Sequence, residues 1–379
     1  MVREPTIGGC PDGRKDGTPE QPGDGGDALG SARQSPKLKL LIKKIIMNKS
    51  KTIGILLLSF IIIASSCKQD KIAKKESSTK KEAKKKSVKI PVFNGDSAFA
   101  FVKKQVDFGP RVTGSEAHKK AQQWFIDKFK SYGAEVEIQK FKAKFPNGVT
   151  ADAANIIAHF NPDKKKKLII ASHYDSRYMA EKDPDPELKN KPIDGADDGA
   201  SGVGVIFELA RILKENPLNM AVDLILFDAE DNGNDKDNAT WCLGSQYWSK
   251  KVAQSGYKAD FGILLDMVGA KNALFPKEYN SKRYAGPVQD VIWNLAYNMG
   301  YGDLFANIER GNINDDHYYV NKDAKIPMVD IINIPDAQKG FGAYHHTHKD
   351  NIDIIDKNTL RRTGQVVIAV MYKYASDDL

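Results

Sequence analysis

The stretch AVDLILFDAEDNG, residues 221–233, decides the reading of this chain. Val222, Leu224, Ile225, Leu226 and Phe227 make a short, nearly continuous apolar run. Such a run suits a strand buried on both faces of a sheet. The character then changes within one residue. Asp228, Glu230 and Asp231 follow at once, and Gly233 permits a tight turn. Carboxylates at the end of a buried strand are costly to desolvate unless a cation or hydrogen bonds balance them. Adjacent acids can divide the work there, one binding a metal and the other carrying protons. An acidic surface loop would look the same in isolation, so the neighbouring segments decide.

Working outward, strands alternate with helices. Residues 96–106 have helical spacing through Phe99, Val102 and Val106. FGPRVTGS, 108–115, is a turn, and Ser115 suits the cap of a helix reaching Tyr132, ended by Gly133. Residues 134–144 and 151–160 alternate like strands, and 167–172 is a strand running into HYDSR. A proline-rich linker, 182–192, leads to IDGADDGASG and a helix over 203–214. Strand 261–268, helix 288–299, strand 327–334 and a closing helix over 359–374 follow the opening stretch. This order predicts one α/β domain, with a mixed, mainly parallel central sheet flanked by helices. In such sheets the ligand site lies beyond the carboxyl ends of the strands.

Length and charge bound the rest. The 379 residues suffice for one large α/β domain with tails. The net charge of +8 misleads about partners. Residues 68–89 alone carry ten lysines against three acids, and the body from 90 onward has a small acidic excess. A basic tail on a mildly acidic domain gives no reason to invoke nucleic acid. Of the three cysteines, Cys10, Cys67 and Cys242, only Cys242 lies in the body, so no disulfide can form within the domain.

The amino-terminal region has its own logic. Residues 1–46 show no core-forming period before Leu40 and read as an extension ahead of a true start at Met47. MNKSKTIGILLLSFIIIASSC, 47–67, has a basic start, an apolar run at 53–64 and small residues before Cys67. That is the layout of a secretory signal at 47–66. The run is well short of the ~20 residues that span a bilayer. The cysteine after the small residues is similar to a bacterial lipoprotein cleavage site, which implies lipidation of Cys67 and membrane anchoring at the bacterial cell envelope, on the periplasmic side or the outer membrane. Residues 67–91 read as a disordered lysine-rich tether, too poor in apolar residues to fold, and 92–379 as the catalytic domain.

Several short motifs lie near the predicted strand ends. His173 and Asp175, two apart on an extended strand, point the same way. Asp197 and Asp198 sit in a glycine-rich turn before a helix, where an ordinary capping role is open to either. Three of the seven histidines, His345, His346 and His348, fall within AYHHTHKD. Zinc takes imidazole and carboxylate ligands tetrahedrally, and catalytic sites keep one position open. An Asp, one acid of the Glu230–Asp231 pair and a His would provide such a set.

At this point the chain resembles a known family. ASHYDSR, GADDGASG, LILFDAED, GSQYW, LLDMVGAKNALFP, DDH and HHTHKDN occur in the order seen in the zinc aminopeptidase superfamily. More narrowly, from about Phe108 to the end, the chain is similar to the glutaminyl cyclase family. LLDMVGAKNALFP carries most of that, because the Gly-Ala and Phe-Pro after the acid are a cyclase feature. The resemblance implies Asp198, Asp231 and His346 as ligands of one Zn2+. It implies Glu230 as general base and acid, with Asp266 and Asp316 lining the pocket, holding the substrate amine and sharing protons. Three carboxylates so close cannot all ionise freely, and at least one keeps a proton near neutral pH. Animal members have Glu at the position of Asp231 and a pocket Trp at that of His345. Trp241 is the candidate for the remaining pocket aromatic, while Trp241 and Trp248 both also fit core positions.

The implied reaction closes the N-terminal glutamine of peptides or proteins to pyroglutamate with release of ammonia. The same residues also fit a two-zinc aminopeptidase, with a second ion at His173 and Asp266 and Asp198 bridging. A non-catalytic binding lipoprotein on the same fold is a third reading, and intact ligands and Glu230 speak against it.

Overall fold

The computed structural model describes residues 88–379. The extension at 1–46, the leader at 47–66, Cys67 and the tether up to 87 lie outside the described residues. In chain order the main elements are helices α1 (Gly95–Val106) and α2 (Glu116–Ser131), then strands β1 (Glu135–Lys144), β2 (Thr150–Phe160) and β3 (Lys167–His173). Helix α3 (Ala200–Glu215), β4 (Ala221–Phe227), α4 (Leu243–Ser255) and β5 (Phe261–Asp266) follow. The chain closes with β6 (Phe275–Lys277), α5 (Tyr279–Asn298), β7 (Phe305–Glu309), α6 (Asp316–Tyr319), β8 (Met328–Ile332) and α7 (Lys357–Ala375).

Six strands form the central sheet in the order β1-β2-β4-β3-β5-β8. β4, β3, β5 and β8 are parallel, while β2 runs antiparallel to β4 and β1 antiparallel to β2. All seven residues of β4 are buried. Its side chains divide by alternation, as the period of a strand requires. Val222, Leu224 and Leu226 enter a core shared with α1, α3 and α7. Ile225 and Phe227 face the opposite core, beneath Trp248 of α4. Trp248 is therefore a core residue. Asp223 is the polar exception in β4. It is neutralised where it lies, by His159 (Nδ1 to Oδ1 2.7 Å), Lys167 (3.2 Å) and the Tyr257 hydroxyl.

Ser115 caps α2 through the His118 N–H at 3.1 Å, as its position before the helical run predicts. Helix α5 is longer than its pattern predicts. Pro287 lies inside it and Ala285 departs from helical geometry, so the break conceals the first turns from a periodicity reading. Helix α4, mixed in polarity, had no legible period. Among the described residues no helix is long and apolar enough to cross a membrane.

From β3 the chain passes through α3 to β4 on one side, then to β5 on the other. The strand order reverses at β3, and the crevice beyond its carboxyl end is where such sheets bind ligands. His173 ends β3, Asp266 ends β5, and the acids 228–231 follow β4 directly.

Candidate active site

The loop after β4 is built around a buried carboxylate from the neighbouring strand. Asp175 accepts hydrogen bonds from Glu230 N (3.0 Å), Asp231 N (3.3 Å) and Asn232 Nδ2 (3.2 Å). This fixes two consecutive acids with their side chains facing a common pocket. Ala229, Cys242, Met267 and His346 all have positive φ, between 49° and 57°. Each lies in or beside the pocket-forming loops, and non-glycine residues in that region carry strain of order 1–3 kcal/mol. Gly199 sits at φ +91°, where a Cβ would come within 2.9 Å of the His173 ring. It is also the N-cap of α3, which has no side-chain cap. Neither Asp197 nor Asp198 therefore caps that helix. Asp197 is buried against Gly269 N (2.7 Å) and the Tyr344 hydroxyl. Asp350 receives the N–H groups of Asp197 (2.7 Å) and Asp198 (3.2 Å), holding the turn open toward the pocket.

Asp231 and His346 touch directly, Oδ1 to Nε2 at 3.1 Å, and Asp198 Oδ2 lies 3.7 Å from the same nitrogen. Glu181 holds the other ring nitrogen of His346 at 2.6 Å, which turns Nε2 inward. A carboxylate on the outer nitrogen is the usual support of a metal-ligating histidine. Asp231 Oδ2 is buried with no hydrogen-bond partner. Two carboxylates, an inward imidazole and an orphaned oxygen fit a divalent cation, and the donor set is one that zinc takes. Arg177 braces the loop from behind, donating to Asp231 O at 2.7 Å while stacking over Trp241 at 4.7 Å.

A second group adjoins the first. His173 Nε2 lies 3.1 Å from Asp198 Oδ1 and 3.3 Å from Asp266 Oδ1. Asp198 thus faces both sets, one oxygen to each.

The cavity, about 280 Å³, is walled by Asp198, Glu230, Asp231, Asp266, Asp315 and His346 together with Trp241 and His345. Burial drives several of these acids toward the neutral form. Glu230 is pushed well above the ordinary range by burial, with the positive partner His173 opposing and Asp315 and Asp231 reinforcing. Asp266 is raised to about 8, again by burial first, against His173 and with Asp198. Asp231 is raised to about 6 by burial and Asp198. Asp198 goes the other way. Burial opposes its charge, yet the hydrogen bond from His173 and the His345 and His346 rings hold it well below the usual range.

The sequence expectation for one residue needs correction. Asp315, not Asp316, forms the pocket wall. Asp315 Oδ1 accepts from Asp316 N as the N-cap of α6, and Oδ2 remains without a partner. Asp316 lies one step into the helix, fully buried behind it. Asp315 is still in extended geometry (φ −140°, ψ 175°) while Asp316 begins the helical turn, so the two side chains leave the backbone in different directions. Trp241 does reach the site, stacked on His346 with ring centroids 6.1 Å apart and planes within 13°. His345 stacks on His346 at 3.7 Å and meets Lys182 Nζ at 2.7 Å through Nδ1. Burial, His346 and Lys182 hold it neutral, well below the ordinary histidine range. His348 instead pairs with Asp183 (3.1 Å), away from the ligand set. Glu181, Lys182 and Cys242, whose Sγ is 3.2 Å from Glu230 Oε1, carried no signal in the sequence. Lys182 opens the proline-rich linker, Glu181 immediately precedes it, and Cys242 lies in an irregular loop.

A mixed α/β sheet with carboxylate and imidazole donors at its parallel strand ends defines the class of zinc-dependent exopeptidase-like enzymes. The chain belongs to peptidase family M28, whose profile matches residues 155–371. It is similar to Bacteroides thetaiotaomicron glutaminyl cyclase, solved with N-acetylhistamine bound, at 41% identity and a TM-score of 0.73, over 75% of this chain and 99% of that one. A Zn-dependent exopeptidase from Parabacteroides distasonis is 44% identical with the same TM-score and coverage. Among curated relatives, glutaminyl-peptide cyclotransferase of Gloydius blomhoffii is 28% identical over 270 residues, 63% of this chain and 70% of its own length. Fold class, enzyme class and zinc dependence thus agree with the sequence reading.

Proposed function

We propose that this chain is a zinc-dependent glutaminyl-peptide cyclotransferase, converting the N-terminal glutamine of peptides and proteins to pyroglutamate with release of ammonia. The observation that carries the reading is Glu230. It sits beside the Asp198–Asp231–His346 set without belonging to it, in the same small pocket as Asp266, whose carboxyl burial raises to about 8.

Asp198, Asp231 and His346 would hold a zinc ion, which would supply Lewis-acid polarisation of the side-chain carboxamide and stabilisation of the charge developing there. The chain's own residues supply the rest. Asp266 and Asp315 hold the substrate's α-amino group. Glu230 takes one proton from that nitrogen as it attacks the carboxamide carbon, and delivers it to the departing nitrogen as the C–N bond breaks. One C–N bond forms, one breaks, and one ammonia leaves. Because the nucleophile belongs to the substrate, orientation is the main task, and good positioning supplies about 7–11 kcal/mol of such a barrier. Trp241 and His345 flank the glutaminyl side chain and exclude water. No activated water is required, because the substrate carries its own nucleophile.

The second set, His173, Asp198 and Asp266, favours one further reading, a two-zinc aminopeptidase. Mass spectrometry of a Gln-initiated peptide, with zinc counted per chain, separates them. Loss of ammonia with one zinc supports cyclisation. Release of free glutamine with two zincs overturns it. We further infer that Met47–Cys67 exports the protein and that lipidated Cys67 anchors it to the cell envelope. Loss of membrane association in Cys67→Ser is the expected result, and retention overturns the anchor.

A further inference from the structure

The catalytic cavity, about 280 Å³, is at the small end of ligand pockets. Three asparagines, Asn238, Asn312 and Asn314, line it and also line a second, larger groove of about 530 Å³. They form the threshold between the two. Asn314 Nδ2 donates to Asn238 O at 3.2 Å, and the Tyr319 hydroxyl donates to the same carbonyl at 3.0 Å, so the threshold is held from both sides.

Beyond it the groove is basic. Lys250 from α4, Arg283 from α5 and Lys322 from the turn after α6 line it, against one carboxylate, Asp323. All three cations are exposed, and among the described residues none is in an ion pair. The contrast with the neighbouring residue is direct: Lys282 is paired with Glu309, whereas Arg283 stands over the Tyr284 ring at 5.3 Å. Lys322 likewise stands over Tyr318 at 5.3 Å. Aromatic faces orient these cations without consuming their charge. Three unneutralised cations on three separate elements, on a domain with an acidic balance, make a local field suited to carboxylates.

We propose that this groove receives the residues that follow the N-terminal glutamine and selects peptides with acidic side chains there. The proposal rests on the cyclase reading and names the substrate class of the same site. Lys250, Arg283 and Lys322 are specificity-determining residues remote from the reacting atoms, and their effect belongs in KM more than in kcat.

The test uses the full zinc-loaded chain and three substrates, Gln-Glu-Asp-Ala, Gln-Lys-Arg-Ala and the dipeptide Gln-Ala. Each kcat/KM is expressed relative to Gln-Ala in the same preparation, which removes differences in active fraction. The acidic peptide is expected to exceed the basic one by about tenfold at low ionic strength, a few-fold per charge, with the gap narrowing as salt screens it. Lys250→Glu, Arg283→Glu and Lys322→Glu together should reverse the order. Equal rates on the two tetrapeptides, or an order that survives the charge reversal, overturn the inference. If Gln-Ala itself is not cyclised, the cyclase reading falls instead. If Gln-Ala is cyclised and no acidic preference is seen, only the groove assignment falls.

Discussion

Asp228 and Asp231 are three residues apart on one loop, both buried, and opposite in every other respect. Asp228 is closed. Its Oδ1 meets Thr113 (3.1 Å), Ala229 N (2.8 Å) and His118 Nε2 (2.9 Å), and its Oδ2 meets Ala154 N and the Tyr174 hydroxyl, both at 2.7 Å. Asp231 shares one oxygen with His346 and leaves the other without a partner. A buried carboxylate with all its lone pairs answered ties strands, helix and loop together and has nothing left to offer a ligand. A buried carboxylate left open is tolerated only where a cation or a shared proton completes it. The two acids separate scaffold from site more clearly than position along the chain does.

That contrast can be broken experimentally. The largest effect is expected on the open side. Glu230→Gln should lower turnover of a Gln-initiated peptide by about 10²–10⁴-fold, the usual share of general acid–base catalysis, with zinc content and thermal stability retained. A rate within twofold of wild type would remove Glu230 from the proton path. On the closed side the loss should fall on stability. Asp228→Ala strips the charge from His118 and leaves several buried donors unanswered, and denaturant titration should show a loss of about 3–5 kcal/mol. Zinc bound per folded chain should stay unchanged. A variant as stable as wild type but depleted of zinc would erase the distinction.

Two smaller effects sharpen it. Glu181→Gln weakens the brace on His346 Nδ1 and should reduce zinc affinity about 10–100-fold in chelator competition. Unaltered affinity would mean that the stacked Trp241 and His345 rings alone fix the imidazole. The smallest effect concerns pH. Burial opposes the His118 imidazolium, but Asp228 outweighs it and raises its pKa above the ordinary value. A raised folded-state pKa adds stability that is complete below the unfolded value of about 6.5 and disappears as pH rises through the folded one. Melting curves of wild type and His118→Gln should therefore converge as pH rises above about 6.5 and through the raised folded-state value. A gap that widens over that range would contradict the ion pair.

Much of the scaffold was legible because each element carried its own signal. The β4 run and the Ser115 cap are local properties, and the structure has them where the pattern places them; β1 and β2 are strands as expected, but β2 is buried continuously over residues 153–158 instead of alternating, because it lies inside the sheet between β1 and β4. The mainly parallel order followed from strands separated by helices. Helix α5 was half hidden because Pro287 interrupts its period, and α4 because its buried face is narrow. The ligand triad was legible only through motif order. Asp198, Asp231 and His346 have no mutual spacing that geometry could read, since 115 residues separate the last two.

By itself the sequence determined which segments form the sheet, that acids crowd its carboxyl edge, and which side chains are available there as donors. Only the tertiary structure decided how neighbours in sequence divide between roles. It placed Asp315 on the cavity wall and Asp316 behind it, set Glu181 from just ahead of a featureless linker against His346, and aligned three cations from three elements beside the pocket. The physical reason is that composition and periodicity report burial, which is a property of a residue and its near neighbours. Which way a side chain faces within a loop is set by backbone angles and hydrogen bonds fixed by distant partners, here Asp175 and Asp350.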